Sequence, residues 1–278
     1  MTDPTLHLGD QGPAVAQAQD LLNRSGAILI DDGKFGSGTV RAVREFRAAM
    51  HLPDSPDIDA AVWAQLRALP LPSASIPTRA VAFIAREEVS GRDYYDQFCA
   101  KPSWPGGASG VTIGVGYDLG YQGDFDRDWA DQFTPEQLSR LKPWVGVKGA
   151  PAQAAVRQLA DLSVPWHAAW AGYVRRTLPQ EVVKTTAAFV PAPARALPPL
   201  CQGVLVSLVY NRGTAMRDDS PNDRRLEMRQ IRDAVAAGTF ELVPQALRDM
   251  CRIWPPGNGL RARRQREAEL FEVGLAQH

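Results

Sequence analysis

The stretch GGASGVTIGVGYDLGY, residues 106–121, sets one hydroxyl, Thr112, and one carboxylate, Asp118, six positions apart among glycines. Two kinds of chemistry use backbone this free of side chains. One is the cradling of a phosphate; the other is the presentation of a few polar groups to an extended polymer. The phosphate reading fails on context. The residues after Gly116 open no apolar helix, no strand ends in an acid about twenty residues on, and no Gly-Lys-Ser/Thr triplet occurs. A hairpin accounts for more. Side chains alternate along a strand, so Thr112, Gly114, Gly116 and Asp118 are expected on one face, with the two glycines clearing it. Tyr117 and Tyr121 fall in the opposite register, where packing is expected. Bare backbone for close approach, one carboxylate and one hydroxyl able to hold water suit a sugar polymer.

Cleavage of a glycosidic bond needs a further carboxyl that donates a proton to the leaving oxygen. AREEVSG, residues 85–91, supplies Glu87 and Glu88 at the tail of a predicted helix. The negative end of a helix dipole and apolar neighbours such as Ile84 and Val89 are the surroundings a proton donor requires. Adjacent helical residues point about 100° apart, so only one of the two acids can face the groove.

Other elements must position these groups. LPLPSASIP, residues 69–77, is rich in proline and serine without periodicity and reads as a linker. The expected division is a module over 1–69, a linker over 70–77 and a larger domain over 78–278. In the first module, Val15, Ala18 or Gln19 and Leu22 make one helical stripe that ends near Gly26. Val40, Val43 and Phe46 make a second, and Ile58, Val62 and Leu66 a third. The larger segment opens with Val81, Ile84 and Glu88 on one stripe. Thr134 and Gln137 spell a capping box. Helical runs follow at AQAAVRQLADL, LCQGVLVSLVYN, RRLEMRQIRDAVAAG, ELVPQALRDMCRI and GLRARRQREAELFEVG, the last ending near Gly274. Strand-like sequence is confined mainly to the glycine-rich stretch. The expected fold is mainly α: a three-helix module followed by a helical α+β domain with one small hairpin.

Composition narrows the function classes. Hydrophobic residues at 45% and charged residues at 22% suit a globular chain with a sizeable core. With 31 basic and 31 acidic residues the net charge is zero, which argues against a nucleic-acid binder. Cys99, Cys201 and Cys251 are too scattered for a metal site, and the four histidines show no ligand spacing, so buried free thiols and no cofactor are expected. The start, MTDPTLHLGD, lacks the basic and apolar runs of a secretory signal, and no apolar run reaches membrane length. Synthesis in the cytoplasm without membrane insertion is expected, as is a monomer.

Two resemblances sharpen the reading. LGDQGPAVAQAQDLL, DGKFGSGTVRAVREF and VWAQL resemble the peptidoglycan-binding domain found beside many wall hydrolases, with Asp32, Gly33, Phe35, Gly36, Thr39, Ala42, Val43 and Phe46 the most specific positions. That resemblance implies glycan or wall-peptide contacts at Asp32 and Phe35. A second signature of the family, an Asp-Gly turn ending in Gly-x-x-Thr-Trp, is reduced here to SPDIDAAVW, which keeps only Trp63. The larger domain, in EEVSG, SGVTIGVGYDLGY, QGVLVSLVYNRG and GLRARRQREAELF, is similar to the phage-type lysozyme (endolysin) family. The order Glu, Thr, then Asp six residues later is nearest to its pesticin-type members.

Carried over residue by residue, this second likeness implies that Glu88 is the general acid, Thr112 orients the attacking water, and Asp118 is base or electrostatic stabiliser. An alternative set, Glu87, Asp96 and Thr112, fits the first interval common in phage lysozymes. Its second interval is stretched to sixteen residues by the insertion QFCAKPSWPGGASGV. Trp104 in that insertion is either a sugar-stacking ring or an anchor for the loop. Asn211 either lines the cleft or caps its helix. Tyr117, beside Asp118, is counted with these two as a substrate contact. Trp166, Trp170 and Tyr173 are expected to pack, and Arg261, Arg263, Arg264 and Arg266 to form a salt-bridged helix face with Glu267, Glu269 and Glu272. The implied substrate is peptidoglycan, cut between N-acetylmuramic acid and N-acetylglucosamine after release through membrane holes or a secretion system. A lytic transglycosylase and a catalytically idle wall-binding or toxin-like protein remain the alternatives.

Overall fold

The computed structural model describes residues 3–189 and 197–277. The fold is mainly helical, and its one sheet among the described residues has two short antiparallel strands. Two compact units are present. One contains the chain up to Pro70 together with Ala85–Pro179; the other contains Leu71–Ile84 and the chain from Gln180 onward. No helix among the described residues is long and apolar enough to cross a membrane.

In the first unit, helices α1 (Pro13–Asn23), α2 (Ser37–Ala49) and α3 (Ala60–Ala68) follow the expected stripes. Val15, Ala18, Leu22, Val43, Phe46, Ile58, Val62 and Leu66 all lie in their common core, and Val40 packs against it half-buried. The altered second family signature is rebuilt from other groups. Asp59 caps α3 by accepting from Val62 N at 3.0 Å, and its other oxygen pairs with the buried Arg47 at 2.7 Å. Arg47 also donates to Asp57 O and Pro53 O, so one guanidinium holds the loop that glycines shape elsewhere in the family pattern.

Helix α4 (Thr78–Val89) carries Glu88 one residue before its end. Its stop is a reverse turn in which Gly91 N bonds back to Arg86 O at 3.1 Å. Ser90 takes the left-handed conformation, φ 56°, in the place that usually falls to glycine. Helix α5 (Arg92–Tyr94) runs straight into a π-helical turn, Tyr95–Cys99. Strands β1 (Thr112–Ile113) and β2 (Tyr117–Asp118) come next, then α6 (Phe125–Trp129), α7 (Pro135–Leu141), α8 (Ala150–Gln158) and α9 (Trp166–Gly172). The capping box forms as expected: Thr134 Oγ1 accepts from Gln137 N, and Gln137 Oε1 from Thr134 N.

The three-helix segment is packed against this part of the chain. Trp166 donates its indole N–H to Gly26 O at 2.7 Å, and Arg86 donates to Leu29 O at 3.0 Å. Arg92 pairs with Glu45, and Arg41 with Asp93. A Cβ on Gly26 would meet the Trp170 ring at 2.7 Å, so glycine there both takes φ 91° and lets the indole close in. Trp166, Trp170 and Tyr173 are buried as expected, in a chain of ring contacts.

The second unit holds α10 (Leu178–Phe189, entering from the first unit), α11 (Pro199–Arg212), α12 (Leu226–Ala237), α13 (Val243–Asp249) and α14 (Gly259–Ala276). Helix α14 runs on past Gly274. That glycine is no stop signal: a Cβ there would sit 2.7 Å from Cys201 Sγ, so it lets α14 press against α11. The expected ion pairs of α14 form, and they are in part buried. Arg263 and Arg264 both reach Glu267 Oε1, at 3.2 and 2.9 Å, and Ser207 Oγ donates to the same oxygen at 2.6 Å. All four residues are inside the unit. All three cysteines are free. Cys201 and Cys251 are buried, and burial pushes the Cys201 thiol up to about 12. Cys99, expected inside as well, is half-buried at the end of the π-helical turn.

Candidate functional site

The hairpin pairs Thr112 directly with Asp118, and Ile113 with Tyr117. Thr112 gives its own backbone groups to Ser103, through Thr112 N to Ser103 O at 2.8 Å and Ser103 N to Thr112 O at 2.9 Å. Its pairing with Asp118 is therefore of the non-hydrogen-bonded kind, which brings Cα atoms to about 4.5 Å and side chains closest together. Thr112 and Asp118 share one face, as the alternation requires. Ile113 and Tyr117 share the other and are buried.

That buried face explains how the hairpin is held. Tyr117 meets Trp129 edge-on, with ring centroids 5.2 Å apart, and Trp129 stacks on Phe133. The Tyr117 hydroxyl donates to Asp128 Oδ2 at 2.9 Å, and burial, with that acid beside it, raises the phenol well above its usual range. Asp128, itself buried, pairs with Arg176 at 2.9 Å. Tyr117 is thus a foundation of the hairpin rather than a contact open to substrate. Tyr121 departs from expectation the other way: it is exposed, bonds Ala108 O through its hydroxyl, and has the Lys148 ammonium over its ring.

Asp118 is fixed through one oxygen. Its Oδ1 accepts from Gly110 N at 2.9 Å and Gly120 N at 2.8 Å. Glycines at both places are obligatory, because a Cβ on Gly110 would lie 2.3 Å from Gly120 N and one on Gly120 would lie 2.9 Å from Gly110 Cα. The glycines were expected to clear a strand face for a polymer; the structure gives them other work. Gly110 and Gly120 let two backbone segments close on a carboxylate. Gly114 and Gly116 supply the positive φ of the turn, and Gly114 is in van der Waals reach of Ala169 and Trp129. Gly110, Gly120 and Ser103 are the supporting residues that sequence reasoning missed. The only signal for them was a glycine at each end of the aspartate's local stretch.

Thr112 Oγ1 is buried and has no hydrogen-bond partner among the described residues. A hydroxyl hidden in this way costs free energy unless something answers it. Glu88 belongs to the same compact unit, and its Oε1 is likewise shielded from solvent. The alternative set includes Asp96. Asp96 is exposed and pairs with Arg92 at 3.2 Å along its own helix face.

Trp104 is half-buried, and its indole N–H closes the inserted loop on Ser109 O at 3.0 Å, which makes it an anchor. Phe35 is 2% exposed in the core of the three-helix segment, so it packs and does not face wall. Asp32 Oδ1 accepts from Lys34 N and from Gln19 Nε2, fixing the turn whose Gly33 N reaches Gln19 Oε1. Asn211 sits in the second unit at the end of α11, with Oδ1 buried and without a partner.

Residues 11–66 match the family model described as "Putative peptidoglycan binding domain". Residues 96–228 match the one described as "Bacterial toxin homologue of phage lysozyme, C-term". The chain is similar, in turn, to a wall-binding module and to a phage-lysozyme homologue. The second match takes in Thr112, Asp118 and Asn211 but begins after Glu88. Among solved structures, one titled "Crystal structure of Burkholderia AP3 phage endolysin" aligns over 98% of this chain and 100% of that one, at 14% identity and a TM-score of 0.23, too low for any detail to be read across. No curated protein matches the sequence.

Proposed function

We propose that this chain is a peptidoglycan hydrolase of the muramidase type, cutting the β-1,4 bond between N-acetylmuramic acid and N-acetylglucosamine. The observation that carries the reading is the Thr112–Asp118 pair: a carboxylate oriented through one oxygen by two backbone amides, directly across from a buried hydroxyl with no partner. Thr112 has the right capacity to hold a water molecule, and Asp118 keeps its second oxygen for that water or for positive charge developing on the sugar. Glu88 donates the proton to the bridging oxygen. Both family matches, one named for peptidoglycan binding and one for phage lysozyme, agree with this substrate class. The three-helix segment is proposed to hold the enzyme on the wall, from within the same compact unit as residues 85–179. The protein acts as a monomer.

Mass spectrometry of purified wall digested by the protein tests the reaction. Muropeptides with a free reducing N-acetylmuramic acid, gained with one water, are expected. Anhydro-sugar products would instead indicate a transglycosylase, and no release of sugar ends would indicate an idle fold. Glu88→Gln is expected to lower lysis of wall suspensions about a thousandfold while wall pull-down persists. Lysis retained by that variant removes Glu88 as the acid.

A further inference from the structure

The second unit carries a group of arginines that the chemistry above does not use. Arg212 closes α11. Its guanidinium lies over the Trp254 ring, 5.4 Å from the centroid, and one Nη donates to Arg224 O. Its Nε is buried and has no hydrogen-bond partner among the described residues. Arg225 reaches back with Nη1 to Arg212 O at 2.7 Å. The acids nearby are committed elsewhere. Glu227 holds Arg252 with both oxygens, and Asp223 pairs with Arg229. Asp218 turns to the backbone amides of Ser220 and Arg224. Among the described residues, Arg212, Arg224 and Arg225 have no carboxylate within ion-pairing distance. Burial first, and then the charges of Arg225, Arg264 and Arg224, hold the Arg212 guanidinium down to about 10, against only Glu227 in the other direction.

A cationic fork half-withdrawn from water and left without a counter-charge is unfavourable by itself, and planar guanidiniums are suited to bidentate capture of carboxylate or phosphate oxygens. Arg224 is exposed, and Arg212 and Arg225 are half-buried, with Trp254 under Arg212, so the group is reachable at the surface while two of its three residues are partly desolvated. We propose that Arg212, Arg224 and Arg225 form an anion-binding site for a carboxylate or phosphate group. In a wall polymer those groups occur as the lactyl and peptide carboxylates of the muramyl units and as phosphodiesters of attached polymers. Placing the anion on the wall rests on the functional reading above; the site itself does not.

Calorimetric titration of the full-length protein at constant ionic strength tests it, with inorganic phosphate, N-acetylmuramic acid and N-acetylglucosamine as probes. Saturable binding of at least one anion is expected, with none of N-acetylglucosamine, which lacks the carboxylate. Preference for N-acetylmuramic acid over phosphate identifies the carboxylate source, and the reverse order the phosphate source. Arg224→Gln and Arg225→Gln should each weaken binding about tenfold, and Arg212→Gln should abolish it. Should Arg212→Gln fail to fold, the exposed Arg224 decides. Absence of saturable anion binding, or binding indifferent to Arg224→Gln and Arg225→Gln, overturns the site. Glu88→Gln should bind as the wild type does, so a failed hydrolase reading and a failed anion site give different results.

Discussion

Two turns in this molecule use the same parts to different ends. In the first, Asp32 Oδ1 gathers Lys34 N and Gln19 Nε2, Gln19 returns Oε1 to Gly33 N, and its amide also reaches Thr39 Oγ1 at 3.2 Å. In the second, Asp118 Oδ1 gathers Gly110 N and Gly120 N, while Thr112 Oγ1 is buried and bonds nothing. Each has an aspartate oxygen holding two N–H donors, glycines in tight places and a threonine nearby. Only the second leaves a group unanswered. A closed network of this sort is architecture, whereas an open one keeps a group able to take up a ligand, as proposed for Thr112. Motif residues alone do not distinguish the two.

Substitutions can break that contrast or sharpen it. Gly110→Ala should have the largest effect, because its methyl would meet Gly120 N at 2.3 Å; a loss of about 3 kcal/mol in denaturant unfolding is expected, with lysis lost alongside. Gly123→Ala, where nothing lies within 4 Å, is the control and should change neither. Thr112→Val should cut wall lysis about a hundredfold while thermal stability holds or rises, since its hydroxyl has no bond to lose. A melting temperature that falls instead would put Thr112 with Thr39 and erase the distinction. Thr39→Val should show the opposite pattern, losing about 1–2 kcal/mol on unfolding with lysis per folded molecule unchanged.

Acid titration probes the three-helix segment further. The Val62 amide first, and the Arg47 guanidinium second, hold the Asp59 carboxyl below its usual range. Its stabilising contribution is therefore full above pH about 4 and fades as pH falls through the lower folded value. Asp59→Asn should flatten that part of the acid limb of melting temperature against pH; an unchanged limb would show that Asp59 is not a source of it. The smallest effect belongs to Ser90. Relieving its left-handed backbone with Ser90→Gly should add about 1 kcal/mol, raising the melting temperature by about 2–4 °C. A fall in lysis with that gain would tie the strain to the position of Glu88.

The helices and their buried stripes were legible because periodicity reports burial directly: Val15, Val43, Phe46, Val62 and Leu66 all lie where their spacing puts them. The facing of Thr112 and Asp118 was legible from alternation along the hairpin. What glycine does was not. At 110 and 120 it answers a contact between segments ten residues apart, at 274 a contact between helices, and no local pattern encodes either. The pairing on α14 was legible, but its burial was not. Alternating arginine and glutamate reads the same whether its pairs face water or, as with Arg263, Arg264 and Glu267, lie closed over Ser207 inside the unit.

Gly26 carries a last consequence. Its carbonyl is taken by one indole and the room a methyl would need is filled by another, so the seam beside it is keyed rather than hinged. On the proposed function, with the three-helix segment holding wall, such a seam would act as a ruler, and cuts would cluster at a fixed distance from each foothold rather than spread over the slack of a tether.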